Sequence, residues 1–191
     1  MKTSLKLIGS LTAICVLSGA LLAFVHGATA ERIAAVANMR TAAAAANVLP
    51  PHDRIGDAIE LEYAGINYTF RPAYREDDTP VGYAVQFATA AGYGGEIRMM
   101  LGIDTAGVTT GLVILSGHKE TPGLGAKITE ADFLAAFRNK PLKSTDWRIA
   151  KEGGVIDEIT AATVSSRAVT DAIKAAAAAF AAHQNKLQGG N

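Results

Sequence analysis

The stretch DEITAATVSSRA, residues 157–168, gathers side-chain oxygens at Asp157, Thr160, Thr163, Ser165 and Ser166 just ahead of an apolar helical pattern. A helix start asks for one capping oxygen. Its unpaired N–H groups and partial positive charge also suit a phosphate. Ala161 and Ala162 would let such a ligand come close to the backbone. The residues alone leave two readings open, an anion site and an ordinary cap with solvated hydroxyls. A second stretch, SGHKETPGLGAKI at 116–128, holds Gly117, Gly123 and Gly125, which allow close approaches. His118 and Glu120 have the chemistry to bind metal or move protons, but a metal site needs three or four ligands. The other histidines, His26, His52 and His183, fall in distant segments, so no metal site is expected and a locally bonded pair is the simpler reading. Neither Ser116 nor Ser165 sits in the G-x-S-x-G elbow of a serine hydrolase. A third stretch, GYGGE at 92–96, is not GxGxxG and lies between strand patterns. It reads as a hairpin turn or as a floor under a flat ring.

The elements that must position these residues follow from periodicity. AIELEY, NYTFRPAY, VGYAVQFAT, GEIRMMLGID and GVTTGLVILSG alternate as strands, with breaks at Ala64-Gly65 and from Asp104 to Gly107. Five sequential strands predict an antiparallel sheet or partial barrel. A helix is expected over 129–138 with Thr129 as N-cap, and a short strand around Trp147 at 146–151. The last helix should run over 163–183, burying Val164, Ala168, Ala172, Ile173 and Phe180. Strands followed by helices make the class α+β.

Residues 7–25 carry no charge and would span roughly 28 Å as a helix, close to a bilayer core. Lys2 and Lys6 precede them, which places the N-terminus in the cytoplasm and the body of the chain outside. Ala28-Thr29-Ala30 has the small-x-small pattern of a signal cleavage site. The apolar run exceeds a signal peptide's core, and this favours a retained anchor. The expected organisation is a cytoplasmic N-terminus at 1–6, an anchor at 7–25, and a helical stalk and linker at 26–57. A domain at 58–183 and a flexible tail at 184–191 follow. The chain has 18 basic and 18 acidic residues. Without residues 1–30, which hold Lys2 and Lys6, it keeps 16 basic against 18 acidic, a balance that speaks against nucleic acid. Cys15 is the one cysteine, so redox chemistry must come from a cofactor rather than from a thiol pair.

Taken together, GYGGEI, LGID, GHKETPGLGAKI and DEITAATVSSRAV closely resemble an exported FMN-binding domain. The family is that of the G subunit of the Rnf-type ion-translocating electron-transfer complex, with the C subunit of the sodium-translocating NADH:quinone reductase as a relative. The resemblance covers roughly residues 1–183. It implies FMN esterified through its phosphate to a threonine in a pattern close to Asp-x-x-(Ser/Thr)-Gly-Ala-Thr, matched here by Asp157, Thr160, Ala161, Ala162 and Thr163. Thr163 is then the attachment residue, and Ala161 stands where the family usually has glycine. Thr160, Ser165 and Ser166 would donate to phosphate oxygens. His118, Glu120, Thr121, Gly123, Leu124, Gly125 and Lys127 would lie along the ring. The resemblance implies no catalytic residue and no metal in the chain itself.

It further implies an electron relay within a complex that links ferredoxin and NAD oxidoreduction to ion movement. The partners would be membrane, flavin and iron–sulfur subunits, the lipid bilayer, and a flavin transferase that uses FAD during maturation. The location implied is the inner membrane with the flavin domain on its outer face. Two alternatives stand beside it, an FMN subunit of another exported reductase and an anchored binding module without redox chemistry.

Overall fold

The computed structural model describes residues 2–115 and 118–188. Ser116, Gly117 and residues 189–191 of the expected tail lie outside the described residues. The chain divides into two compact units, Met1–Thr41 and Ala42–Asn191. The first is helix throughout its described length. This helix, α1, spans Lys2–Val48, so the expected anchor and stalk are one element. Ala28 and Ala30, good helix formers, help carry it through the junction, and Thr29 donates its hydroxyl proton to the Val25 carbonyl at 2.8 Å. Pro50 and Pro51 follow its end, where the missing N–H and the ring forbid another turn. Among the described residues one helix is long and apolar enough to cross a membrane, Lys6–Val48, with a mean hydropathy of 2.2 over its best window.

The second unit is built on six antiparallel strands: β1 (Arg54–Ile55), β2 (Ile59–Tyr63), β3 (Ile66–Tyr74), β4 (Pro80–Gly92), β5 (Gly95–Asp104) and β6 (Thr109–Ile114). The order is β1-β3-β4-β5-β6, with β2 also paired to β3. The class is α+β, as the sequence predicts. The two-residue β1 is an addition, too short for alternation to reveal. Strand alternation sorts side chains onto two faces. Tyr83, Val85 and Phe87 of β4 join Ile97, Met99, Leu101 and Ile103 of β5 in the main core. Ala84 and Met100 face the other way and pack with Ala44, Ala45, Val48 and Leu49. There the Val48 carbonyl accepts the Thr110 hydroxyl. A Cβ on Gly102 would fall 1.9 Å from that carbonyl oxygen, so this face has room only for glycine.

The main core is closed by α2 (Ala131–Ala135) and α3 (Thr163–Gln188). Along α3, Ala168, Val169, Ala172, Ile173, Ala176, Ala179 and Phe180 form the buried stripe. Burying each of its large side chains contributes roughly 1.5–3 kcal/mol, and the alanines let the helix approach the sheet closely. Val164 does not belong to this stripe: it is 46% exposed. The helix also runs beyond the expected end at 183. Leu187 is buried, and its carbonyl accepts the Tyr83 hydroxyl at 3.1 Å.

Two smaller expectations are corrected. Thr129 is no N-cap. It ends a short 3-10 turn (Gly125–Thr129), and its hydroxyl bonds back to the Ala126 carbonyl at 2.9 Å. Trp147 lies in no strand. A single parallel bridge joins Ile149 to Ile156, and the Trp147 indole N–H donates to the Leu142 carbonyl at 3.2 Å. The indole needs one acceptor once buried, and a loop carbonyl meets that need as well as a strand would.

Candidate functional site

The first turn of α3 opens onto a cavity of about 470 Å³. Three segments distant in sequence line it. Tyr93 comes from the β4–β5 hairpin. Glu120, Thr121, Leu124 and Gly125 come from the loop after β6, and residues 161–165 come from the head of α3. The three motif stretches of the sequence therefore meet around one space.

Glu120 is the residue that joins them. It is buried, 5% exposed. Its Oε1 accepts the Gly94 backbone N–H at 3.0 Å, and its Oε2 accepts the Ser165 hydroxyl at 2.5 Å. The neighbouring glycines make room for this crossing. A Cβ on Gly94 would lie 2.1 Å from the Lys119 carbonyl oxygen, and one on Gly125 would lie 2.1 Å from Glu120 Oε2. The loop is braced from within, because the Thr121 carbonyl accepts the N–H groups of Leu124 and Ala126, each at 3.1 Å.

The turn entering α3 is held by Ser166. It is fully buried, and its hydroxyl donates to the Ala162 carbonyl at 3.1 Å while accepting the Ile159 N–H at 3.0 Å. This differs from the expected donation to phosphate, since both functions of the hydroxyl are spent on the chain. The Ser165 proton is likewise committed, to Glu120. What remains for an anion at the head of α3 is the half-buried Thr163 and the N–H groups of Thr163, Val164 and Ser165, since the Ser166 N–H already donates to the Ala162 carbonyl at 3.0 Å. Ala161 has φ 62°, in the left-handed region. That conformation costs an L-residue roughly 1–2 kcal/mol, a cost that glycine escapes. Ala161→Gly is expected to raise stability by about 1 kcal/mol after glycine's own entropy cost, seen as a higher urea midpoint at unchanged slope.

Asp157 and Thr160 are exposed on the approach to the helix and do not line the cavity. Gly123, Lys127 and His118 stand in or beside the loop, also off the lining. His118 Nδ1 is buried without a hydrogen-bond partner among the described residues. No cluster of three or more His, Cys, Asp or Glu able to hold a metal occurs among the described residues.

The sequence reading did not single out Tyr93 or the cavity role of Val164. Among the described residues of the second unit, five large apolar side chains are exposed, and three of them, Tyr93, Leu124 and Val164, line this cavity. Apolar side chains left in water around a concave site mark a ligand surface. A planar apolar ring against these three, with its phosphate toward Thr163 and the positive end of α3, fits the chemistry of the lining.

Comparison with known proteins agrees with this. Residues 92–178, which contain the whole lining, match the FMN-binding domain family. The G subunit of the ion-translocating oxidoreductase complex from Shewanella oneidensis is 40% identical over 113 residues, covering 56% of this chain and 53% of that protein. The chain thus spans about half the length of several curated relatives that it matches. The corresponding G subunit from Vibrio cholerae (classical Ogawa 395) is 31% identical over 201 residues, covering 98% of this chain and 95% of that protein. The crystal structure of Shewanella oneidensis NqrC superposes with a TM-score of 0.53 at 20% identity, over 64% of this chain and 62% of that one, which shows a common fold. From the match along nearly its full length, the chain belongs to the family formed by the G subunits of ion-translocating oxidoreductase complexes.

Proposed function

We propose that this chain is the FMN-carrying electron-transfer subunit of an ion-translocating oxidoreductase complex, with the flavin esterified through its phosphate to Thr163 Oγ1. The observation that carries the reading is the position of Thr163. It stands on the first turn of α3, on the wall of the cavity that the three motif segments enclose. When bound, the flavin takes up and releases electrons.

The chain's own residues bind and orient it. The first-turn N–H groups and the helix dipole stabilise the negative phosphodiester. Tyr93, Leu124 and Val164 would hold the ring by apolar contact, and Thr121 would supply a polar group. In maturation, the Thr163 Oγ1–P bond forms as the P–O–P link of FAD breaks. AMP leaves, and the hydroxyl proton passes to a base on the flavin transferase. The exposed Asp157 and Thr160 are the surface that the transferase reads beside Thr163.

Residues 7–25 of α1 serve as a single membrane anchor. Lys2 and Lys6 keep the N-terminus in the cytoplasm, and the flavin domain lies on the outer face. The anchor holds no ionisable side chain other than Cys15, so ion movement belongs to partner subunits. Those partners, with flavin or iron–sulfur centres, exchange electrons with this subunit, and the tether keeps the carrier at high effective concentration beside them.

The test is the intact mass of the full chain expressed with a flavin transferase. A covalent adduct adds about 438 Da through loss of water on ester formation, and peptide mapping locates it at Thr163. A chain that emerges from a competent host at its unmodified mass overturns the reading.

A further inference from the structure

The carboxylate of Glu120 is unusual for its place. It is almost fully buried, lines the cavity, and has both oxygens engaged as acceptors, by the Gly94 N–H and the Ser165 hydroxyl. Both contacts suit a carboxylate, which is an acceptor only. No ion pair within 4 Å neutralises it among the described residues. The loop's own cations, Lys119 and Lys127, are exposed, where solvent and salt screen them. The glycines around Glu120 leave space for the carboxylate and for nothing larger: a Cβ on Gly92 would lie 2.8 Å from its Oε1, and one on Gly125 would lie 2.1 Å from its Oε2. The fold thus fixes a carboxyl group in the wall of the cavity, away from water.

We propose that Glu120 sets the midpoint potential of the flavin, acting as a fixed charge that makes each added electron harder to accept. The proposal rests on the reading that FMN occupies this cavity. In a weakly screened wall a like charge opposes charge uptake far more than it would in water. The same two hydrogen bonds hold the charge still, so it acts from one place relative to the head of α3. Gly92 and Gly125 are then explained by one requirement, the accommodation of this carboxylate.

The test is a redox titration of the full chain in detergent, with mediator dyes, after co-expression with the transferase. Glu120→Gln keeps shape and removes the charge. It is expected to shift the midpoint positively by at least tenfold in the reduced-to-oxidised ratio, about 59 mV for a one-electron couple. A fully loaded Glu120→Gln protein at the wild-type potential overturns the proposal. Should that variant fail to fold or to take up flavin, Glu120→Ser decides. It is smaller and also removes the charge, so its midpoint moves in the same, positive direction. A loaded Glu120→Ser protein at the wild-type potential overturns the proposal as well. A wild type without adduct or bound flavin, seen by mass and absorbance before any titration, overturns the flavin reading itself and this proposal with it.

Discussion

Thr163→Ala emerges from a transferase-competent host without the covalent adduct, its mass lower by about 438 Da beyond the change of residue, and its band on a denaturing gel does not fluoresce. Neither serine of the same helix turn offers a substitute. The Ser165 hydroxyl is donated to a buried carboxylate, and the Ser166 hydroxyl is held on both sides by the chain. Thr160 is exposed and off the lining. The loss is therefore complete rather than partial. Stability stays within about 0.5 kcal/mol of wild type, since Thr163 is only half-buried and alanine is a good helix former. Thr163→Ser keeps a hydroxyl at the same place and retains adduct, which separates loss of the nucleophile from loss of the fold. Retention of a full adduct in Thr163→Ala would show that another side chain is the attachment point.

Gly94→Ala has an equally large expected effect by a different route. The added methyl would sit 2.1 Å from the Lys119 carbonyl oxygen and 2.8 Å from the Glu120 nitrogen. Both are backbone atoms, so no side-chain rotation relieves the clash. The hairpin and the loop must separate, and the Gly94 N–H bond to Glu120 breaks with them. Overpacking of this kind costs about 2–3 kcal/mol, measurable by urea unfolding. Flavin loading should fall at least tenfold, because two of the three segments around the cavity are no longer in register. A Gly94→Ala protein of wild-type stability and loading would mean that the hairpin and the loop move freely against each other.

The sheet was largely readable from alternation. β2 to β6 lie where the apolar–polar pattern and the turn residues put them. β1 escaped notice since two residues carry no period. Val164 was misjudged for an instructive reason. Its spacing from Ala168 puts it on the buried stripe, but at the first turn the residue lines the cavity instead. Thr129 shows the limit of cap signals. A hydroxyl just ahead of an apolar run served the preceding 3-10 turn rather than the following helix.

Of the site, the type of residue was visible and the pairing was not. The contact between Glu120 and Ser165 spans 45 residues, and that between Gly94 and Glu120 spans 26. Neither has a local signature. Ser165 illustrates the consequence: it is expected to face a phosphate, and its partner comes from elsewhere in the fold. Tyr93 could have been found, since an aromatic at a glycine-rich turn has no core to join. Its high exposure is the physical form of that clue.

The Tyr83 hydroxyl on the Leu187 carbonyl ties the last turn of α3 to β4. A helix of 26 residues is about 38 Å long, so the last turn of α3 stands that far from Thr163. An affinity handle, a reporter fusion or a linkage to an electrode surface placed after this turn would therefore leave the cavity mouth unobstructed. The same geometry makes the far end of α3 the natural point of attachment for immobilised electrochemistry on this protein.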